Sequence, residues 1–308
     1  MNDAGNGWKT PWFLDDYLSG IPTLPGLFQL ERQRFKLFEK TIHYGWHPQQ
    51  LAVVCWPCDA ADRRDSVVYF LHGGGWRSGS PVLMRFIAYF FAGLGYPTIM
   101  GGYRLAPHMQ YPVQVADSIA ALGAGLRLLD ANDMSGQRII LSGQSAGAQL
   151  AALLAYGKVR IAQQARQDFN FQAYLGISGP LNFAHCNNPA IHGMIDQFTG
   201  NEQAFDEADP YQNLDGSERI PALLIHGELD QLVHPANSIT FAERLRQGGC
   251  PAQVLIVPGR HHANLVGLFW HAFPETQQMV DWLAQYDAPD GAAIADGMTA
   301  KSDSGSAA

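Results

Sequence analysis

Arg138-Ile139-Ile140-Leu141-Ser142-Gly143-Gln144-Ser145-Ala146-Gly147 runs from an apolar segment into a pentapeptide centred on a serine, and a helical stretch follows from Ala148 to Ala155. A strand joined at once to a helix by Gly-x-Ser-x-Gly predicts a sharp turn at the rim of an α/β sheet. The two glycines let the flanking segments approach without Cβ clashes. The serine between them can then hold a strained backbone conformation, with its hydroxyl above the sheet. Ser145 is therefore a candidate nucleophile. The pentapeptide alone is a weak signal, because residue frequencies give roughly 0.2 chance matches in a chain this rich in glycine.

Outward from this turn, short apolar runs alternate with helical stretches, the pattern of a mostly parallel sheet covered on both faces. Strands are predicted at Leu51 to Trp56, Val67 to Leu71, Thr98 to Met100, Ile139 to Leu141, Ala173 to Ile177, Ala222 to Ile225 and Val254 to Val257. Helices are predicted at Pro81 to Leu94, Val113 to Asp130, Ala146 to Ala155, Pro235 to Gln247 and Glu275 to Gln285. Ser80-Pro81 has the form of an N-cap with proline at the first helical position, and Gly248-Gly249 ends the helix begun near Pro235. Residues 181–218 show no clear period and read as an insertion. Residues 1–40 carry Trp8, Trp12, Phe13, Phe28, Phe35 and Phe38, too many aromatics for a simple tail. Both segments are expected to cap the mouth of the site, with mere cover of a sheet edge as the competing reading. The expected organisation is a cap segment at 1–40, a main domain at 41–286 and a disordered tail at 287–308.

The 308 residues, 47% of them hydrophobic, suffice for a large core, and the formal net charge is −8. This acidic balance, without a lysine or arginine run, argues against nucleic acid or an anionic membrane surface as the main partner. No signal-like start and no bilayer-length apolar run is present, so a soluble, cytoplasmic protein is expected, with a homodimer left open. Cys55 and Cys58 form Cys-x-x-Cys. That pair closes a strand-like run rather than opening a helix and lacks further ligands at matching spacing, so neither a redox pair nor a zinc site is expected. The scattered histidines, His47 and His108 among them, read as surface or hydrogen-bonded residues. No metal and no cofactor is expected.

A serine attacking an ester or amide carbonyl needs a base, a group that orients the base, and donors for the developing oxyanion. For the donors, His72-Gly73-Gly74-Gly75-Trp76 follows the strand ending at Leu71. Its consecutive glycines can turn backbone N–H groups inward, and the candidates are Gly74 and Gly75, with Ala146 completing the set. His72 reads as a residue that holds this loop. For the orienting acid, Ala222 to Ile225 runs into His226-Gly227-Glu228-Leu229-Asp230, and Asp230 is preferred over Glu228. For the base, Val254 to Val257 is followed by Pro258-Gly259-Arg260-His261-His262, and His262 is preferred over His261. With these roles, activity should fall at acidic pH.

With those motifs in place the chain resembles the α/β-hydrolase superfamily, in particular esterases of the hormone-sensitive-lipase and carboxylesterase group together with the kynurenine formamidases. The matching residues are His72 to Trp76, Tyr103-Arg104-Leu105-Ala106-Pro107, Tyr111-Pro112 with Asp117, Gly143 to Gly147, His226-Gly227 with Asp230, and Gly259 with His262. The order Ser, Asp, His agrees with that superfamily. The resemblance spans about Thr41 to Ala284. It implies an eight-stranded fold, a cofactor-free Ser-His-Asp mechanism, and carboxylic esters or aryl formamides as small-molecule substrates. Ester hydrolysis through an acyl-enzyme is the leading expectation and aryl formamidase the rival. A non-hydrolytic biosynthetic or ligand-binding homologue is the third reading.

Overall fold

A computed structural model of the chain describes residues 32–134, 138–270 and 273–287. The strands are β1 (Leu37–His43), β2 (Leu51–Pro57), β3 (Ser66–Leu71), β4 (Thr98–Gly101), β5 (Arg138–Gln144), β6 (Phe171–Ile177), β7 (Ala222–Gly227) and β8 (Ala252–Val257). They form one eight-stranded sheet in the order β1-β2-β4-β3-β5-β6-β7-β8. β2 is antiparallel to both neighbours, and every pairing from β4 onward is parallel. This is the α/β-hydrolase architecture.

The helices are α1 (Arg85–Gly93), α2 (Val113–Asp130), α3 (Ala146–Tyr156), α4 (Arg160–Asp168), α5 (Pro189–Thr199), α6 (Glu202–Ala208), α7 (Pro210–Asn213), α8 (Ala236–Gln247) and α9 (Glu275–Ala284). Alternation along β3 explains why the sheet is covered on both sides. Val67, Tyr69 and Leu71 enter one apolar cluster with α2, α3 and α8, whereas Val68 and Phe70 enter a second with α1 and α9. A strand buried on both faces reads as a continuous apolar run, which is how β3 reads in the sequence.

Several elements differ from the sequence expectation. β1 lies at the sheet edge with only β2 as partner, so Phe38, Lys40, Thr41 and His43 are exposed and Glu39 and Lys40 interrupt any apolar run. Its position moves residues 37–40 from the expected cap into the sheet, while residues 1–31 lie outside the described residues. Residues 81–84 form turns, with the Leu83 N–H donating to Ser80 Oγ at 3.3 Å, and α1 starts only at Arg85. α4 has no counterpart among the expected helices, because only Ala162 and Ala165 of it are buried.

The 181–218 stretch contains three capped helices. Asn188 accepts from the Ala190 N–H at 2.9 Å, Asn201 from Ala204 at 2.9 Å and Asp209 from Tyr211 at 3.0 Å, with proline at the start of α5 and α7. At the other end, Asp287 accepts from Arg64 Nη1 at 2.9 Å and from the Ser66 N–H at 3.1 Å, so the main domain is tied down through residue 287. The expected tail beyond it lies outside the described residues.

The loop that carries Arg104 is held by a buried carboxylate on α2. Asp117 accepts from Arg104 N at 2.9 Å, Nε at 2.8 Å and Nη2 at 2.9 Å, and from Gln50 Nε2 at 3.0 Å. Four donors on one ion compensate its desolvation, and removing the ion strands a largely buried guanidinium. Asp117→Ala should therefore cost about 3 kcal/mol of stability, read as a lowered urea midpoint. A change below about 0.5 kcal/mol would rule out this network as a structural anchor.

Candidate active site

Ser145 adopts φ 55° and ψ −123°, a conformation rare for a residue with a Cβ. Crowding around it accounts for the flanking glycines. A Cβ on Gly147 would lie 2.0 Å from the Leu71 carbonyl oxygen, and one on Gly143 would lie 2.4 Å from the Gly147 backbone. The Ser145 N–H donates to Ile177 O on β6 at 2.8 Å, which holds the turn against the neighbouring strand.

The loops leaving β7 and β8 bring two side chains to this serine. The Ser145 hydroxyl lies 2.8 Å from His262 Nε2, and His262 Nδ1 lies 2.7 Å from Asp230 Oδ2. Gly227 permits the approach of the two loops, since a Cβ there would meet Arg260 O at 2.4 Å. The competing residues point elsewhere. Glu228 is exposed and accepts from the Gly259 N–H at 2.9 Å. His261 is exposed, with Nδ1 3.0 Å from Leu229 O.

Asp230 is saturated with donors. Its Oδ1 accepts from the Leu232 and Val233 N–H groups at 3.0 and 2.9 Å. Burial by itself would push the Asp230 carboxyl upward. The charge of His262 and the hydrogen bonds from His226 and His262 overcome it and hold the carboxyl well below the usual carboxylate range. His226 takes no role from the sequence motifs alone. It is fully buried, its Nε2 lies 2.8 Å from Val233 O and 3.2 Å from Asp230 Oδ2, and its Nδ1 lies 2.8 Å from Ser238 Oγ. Because Val233 O can only accept, the proton sits on Nε2 and is shared with Asp230. The signal for it in the sequence was the i to i+4 spacing across the turn from His226 to Asp230.

The glycine loop after β3 leaves beside this turn, because Leu71 pairs with Gly143 in register. Gly74 and Gly75 have φ 119° and 60°, and the Gly74 carbonyl accepts from the N–H groups of Arg77 and Ser78, both at 3.1 Å. Among the described residues, the N–H groups of Gly74, Gly75 and Ala146 have no protein acceptor. His72 stacks on Tyr103 at 4.3 Å and its Nδ1–H donates to Gly73 O at 2.8 Å. Burial lowers its pKa to about 4, partly offset by the Gly73 hydrogen bond. It is neutral and braces the loop. Trp76 is buried, donates to Gln149 Oε1 at 3.0 Å and stacks on Phe198 of α5 at 4.5 Å.

Among the described residues no group of three or more His, Cys, Asp or Glu is gathered as a metal site, and no helix is long and apolar enough to cross a membrane. Cys55 is buried within β2 and Cys58 is exposed beyond it, both as free thiols.

The BD-FAE family model matches residues 56–245, more than half of the chain. The chain belongs to the BD-FAE family. It is 27% identical over 223 residues to an ethyl acetate hydrolase of Pseudomonas putida, covering 67% of this chain and 68% of that protein. It is 25% identical to the isoprenylcysteine alpha-carbonyl methylesterase ICME of Arabidopsis thaliana, covering 79% of this chain and 61% of that one. The chain thus spans about two thirds or less of the length of these curated relatives. Esterase B from Lactobacillus rhamnosis shares the fold, with a TM-score of 0.69 at 20% identity, 89% of this chain and 94% of that chain being covered. A truncated carbohydrate esterase from gut microbiota has a TM-score of 0.70 at 17% identity, covering 82% and 96%. This BD-FAE member is an α/β-hydrolase of the esterase/lipase type, and the kynurenine formamidase branch of the resemblance finds no support in these relatives.

His72 makes the stability of this BD-FAE protein pH-dependent. With a folded pKa of about 4 against 6.5 unfolded, the unfolded chain binds more protons between those values, so stability falls as pH drops through that window. Asp209, raised by burial to about 7, acts with the opposite sign over much of the same range. Comparison with His72→Gln isolates the histidine. Between pH 7 and 4.5 the wild type should lose more stability than the variant, read from urea midpoints, and parallel curves would refute the assignment.

Proposed function

We propose that the protein hydrolyses carboxylic esters of small or medium size through an acyl-enzyme, with Ser145 as nucleophile, His262 as general base and acid, and Asp230 as the orienting carboxylate. The N–H groups of Gly74, Gly75 and Ala146 serve as the oxyanion donors. The observation that carries this reading is the unbroken chain from the Ser145 hydroxyl through His262 to a buried, ionised Asp230, with 2.8 and 2.7 Å links. Attack by Ser145 Oγ on the carbonyl carbon passes its proton to His262 Nε2. The Nδ1–H stays on the imidazolium and faces Asp230, which stabilises the new charge. The tetrahedral oxyanion is received by backbone N–H groups that have no other acceptor, each typically contributing about 3 kcal/mol. Collapse expels the alcohol, which takes the proton from His262. Water then repeats the sequence on the acyl-enzyme, releasing the acid and free Ser145.

An aryl formamide would use the same groups, but the family and the named relatives favour esters. The esterase relatives also weigh against the non-hydrolytic reading. A cytoplasmic location and assembly as a homodimer remain part of the proposal, to be read by cell fractionation and light scattering. The 181–218 insertion is read as a cap over the acyl pocket. Met194 on α5 supports this, since a Cβ on Gly75 would come within 2.4 Å of its sulfur. A thioether packed against an oxyanion donor limits the room for a long acyl chain.

Ser145→Ala should abolish labelling by a fluorophosphonate and lower kcat by about 10⁴-fold or more. His262→Ala should lower kcat by several orders of magnitude, whereas His261→Ala should act mainly on binding or stability. Full labelling of Ser145→Ala would remove the nucleophile assignment. Met194→Ala should raise kcat/KM for nitrophenyl octanoate relative to acetate by about tenfold, within the usual range for pocket discrimination. An unchanged chain-length profile would detach α5 from the acyl pocket.

A further inference from the structure

Although the chain is acidic overall, one recess on the rim that carries Ser145 has no carboxylate in its lining. Its volume is about 450 Å³, and His47, Gln49, Arg77, Leu105, Pro107 and His108 are among its walls. Topology fixes its position. β2 runs antiparallel to β4, with Ala52 opposite Gly101, so the β1–β2 turn bearing His47 and Gln49 stands at the C-terminal end of β4. Arg77 directly follows Trp76, and its N–H closes the turn onto Gly74 O at 3.1 Å. The recess and the proposed oxyanion donors therefore share one loop.

Three of its polar side chains, those of Gln49, His47 and Arg77, offer donors. The Gln49 carbonyl oxygen is engaged by the Leu105 N–H at 3.1 Å, which leaves the amide NH₂ of Gln49 as its unused group. His47 Nδ1 accepts from the Gln49 N–H at 3.2 Å, so its ring proton lies on Nε2. The Arg77 side chain is exposed and, among the described residues, pairs with no carboxylate. A cation with a planar fork of donors, flanked by two further donors and an apolar wall of Leu105 and Pro107, matches an oxyanion on a small organic body.

We propose that this recess binds a carboxylate or phosphate oxyanion, with Arg77 as its bidentate partner and Gln49 and His47 as supporting donors. The anion is either the distal charged group of an ester substrate, in which case the inference rests on the hydrolase reading, or a free ion acting beside the oxyanion loop.

Calorimetric titration of the full chain with inorganic phosphate and with succinate, at low ionic strength, tests the site without requiring turnover. Saturable binding is expected for the wild type and also for Ser145→Ala. Arg77→Gln should weaken it about tenfold or more, as loss of a charge-assisted pair does, and Gln49→Leu should weaken it less. Absence of saturable binding in the wild type, or equal binding by Arg77→Gln, overturns the proposal. The source is read from kcat/KM for monoethyl succinate against ethyl butyrate. A fall of about tenfold in that ratio in Arg77→Gln marks a substrate group. An unchanged ratio, with phosphate altering turnover of both esters in the wild type alone, marks a free ion. Loss of all ester turnover with anion binding intact would sink the hydrolase reading and leave the recess standing.

Discussion

The arrangement depends on one close approach, that of the β5–α3 turn to the chain leaving β3. Gly147 sits so near the Leu71 and His72 carbonyls that no side chain fits between them. That contact presses the serine turn into its left-handed conformation and lays the glycine loop beside it in a single step. Holding Ser145 at φ 55° costs on the order of 1–3 kcal/mol. The strain is offset locally, because every residue of α3 is buried and the Ser145 N–H is engaged by β6. A serine on a relaxed loop would cost less, but its hydroxyl would not be fixed relative to the N–H groups of its own turn.

The histidine and aspartate come from the other half of the sheet through a second backbone approach, that of Gly227 to Arg260. Here the balance is electrostatic. A carboxylate with 2% exposure would take up a proton if burial acted alone, and a protonated Asp230 could not stabilise an imidazolium. Two backbone N–H groups, His226 and His262 keep it charged. His226 is itself locked by Ser238 and Val233, so the acid is held by a buried polar cluster reaching into α8 rather than by a flexible loop. This is the energetic reason why His226, Asp230 and Ser238 are polar and nonetheless buried.

What could be read in the sequence follows how each element earns its stability. β3, β5 and β7 are covered on both faces and show as apolar runs. α2 was bounded at Val113 and Asp130 by its own pattern. Ser145, Asp230 and His262 could be read as candidates because the chemistry sought restricts such residues to the ends of those strands, and the structure brings their side chains within hydrogen-bond reach of one another. β1 was not, since an edge strand with charged residues has neither a run nor a clean alternation, and α4 buries too little to produce a period. The insertion was opaque for a different reason. α6 and α7 are too short for a hydrophobic repeat, and their signals are the caps at Asn201 and Asp209, readable only residue by residue. The choice between His261 and His262 rests on the direction in which a turn points its side chains, a tertiary property.

The insertion is coupled to the most crowded part of the chain. α5 places Phe198 flat against Trp76 and Met194 against Gly75, and its last turn bonds back to the β4–α2 loop through Tyr111 N–H to Phe198 O at 2.9 Å. Trp76 is in turn fixed by Gln149, whose amide reaches Ala208 at the end of α6 at 2.6 Å. The insertion therefore does not hover over the site as an independent lid. Its core side chains are packing partners of the glycine loop that follows β3, so a change of shape in α5 must be taken up by that loop. Close-packed interiors transmit such displacements rather than absorb them. An insertion reshaped by substitution therefore also alters the footing of Gly75, and the two must change together.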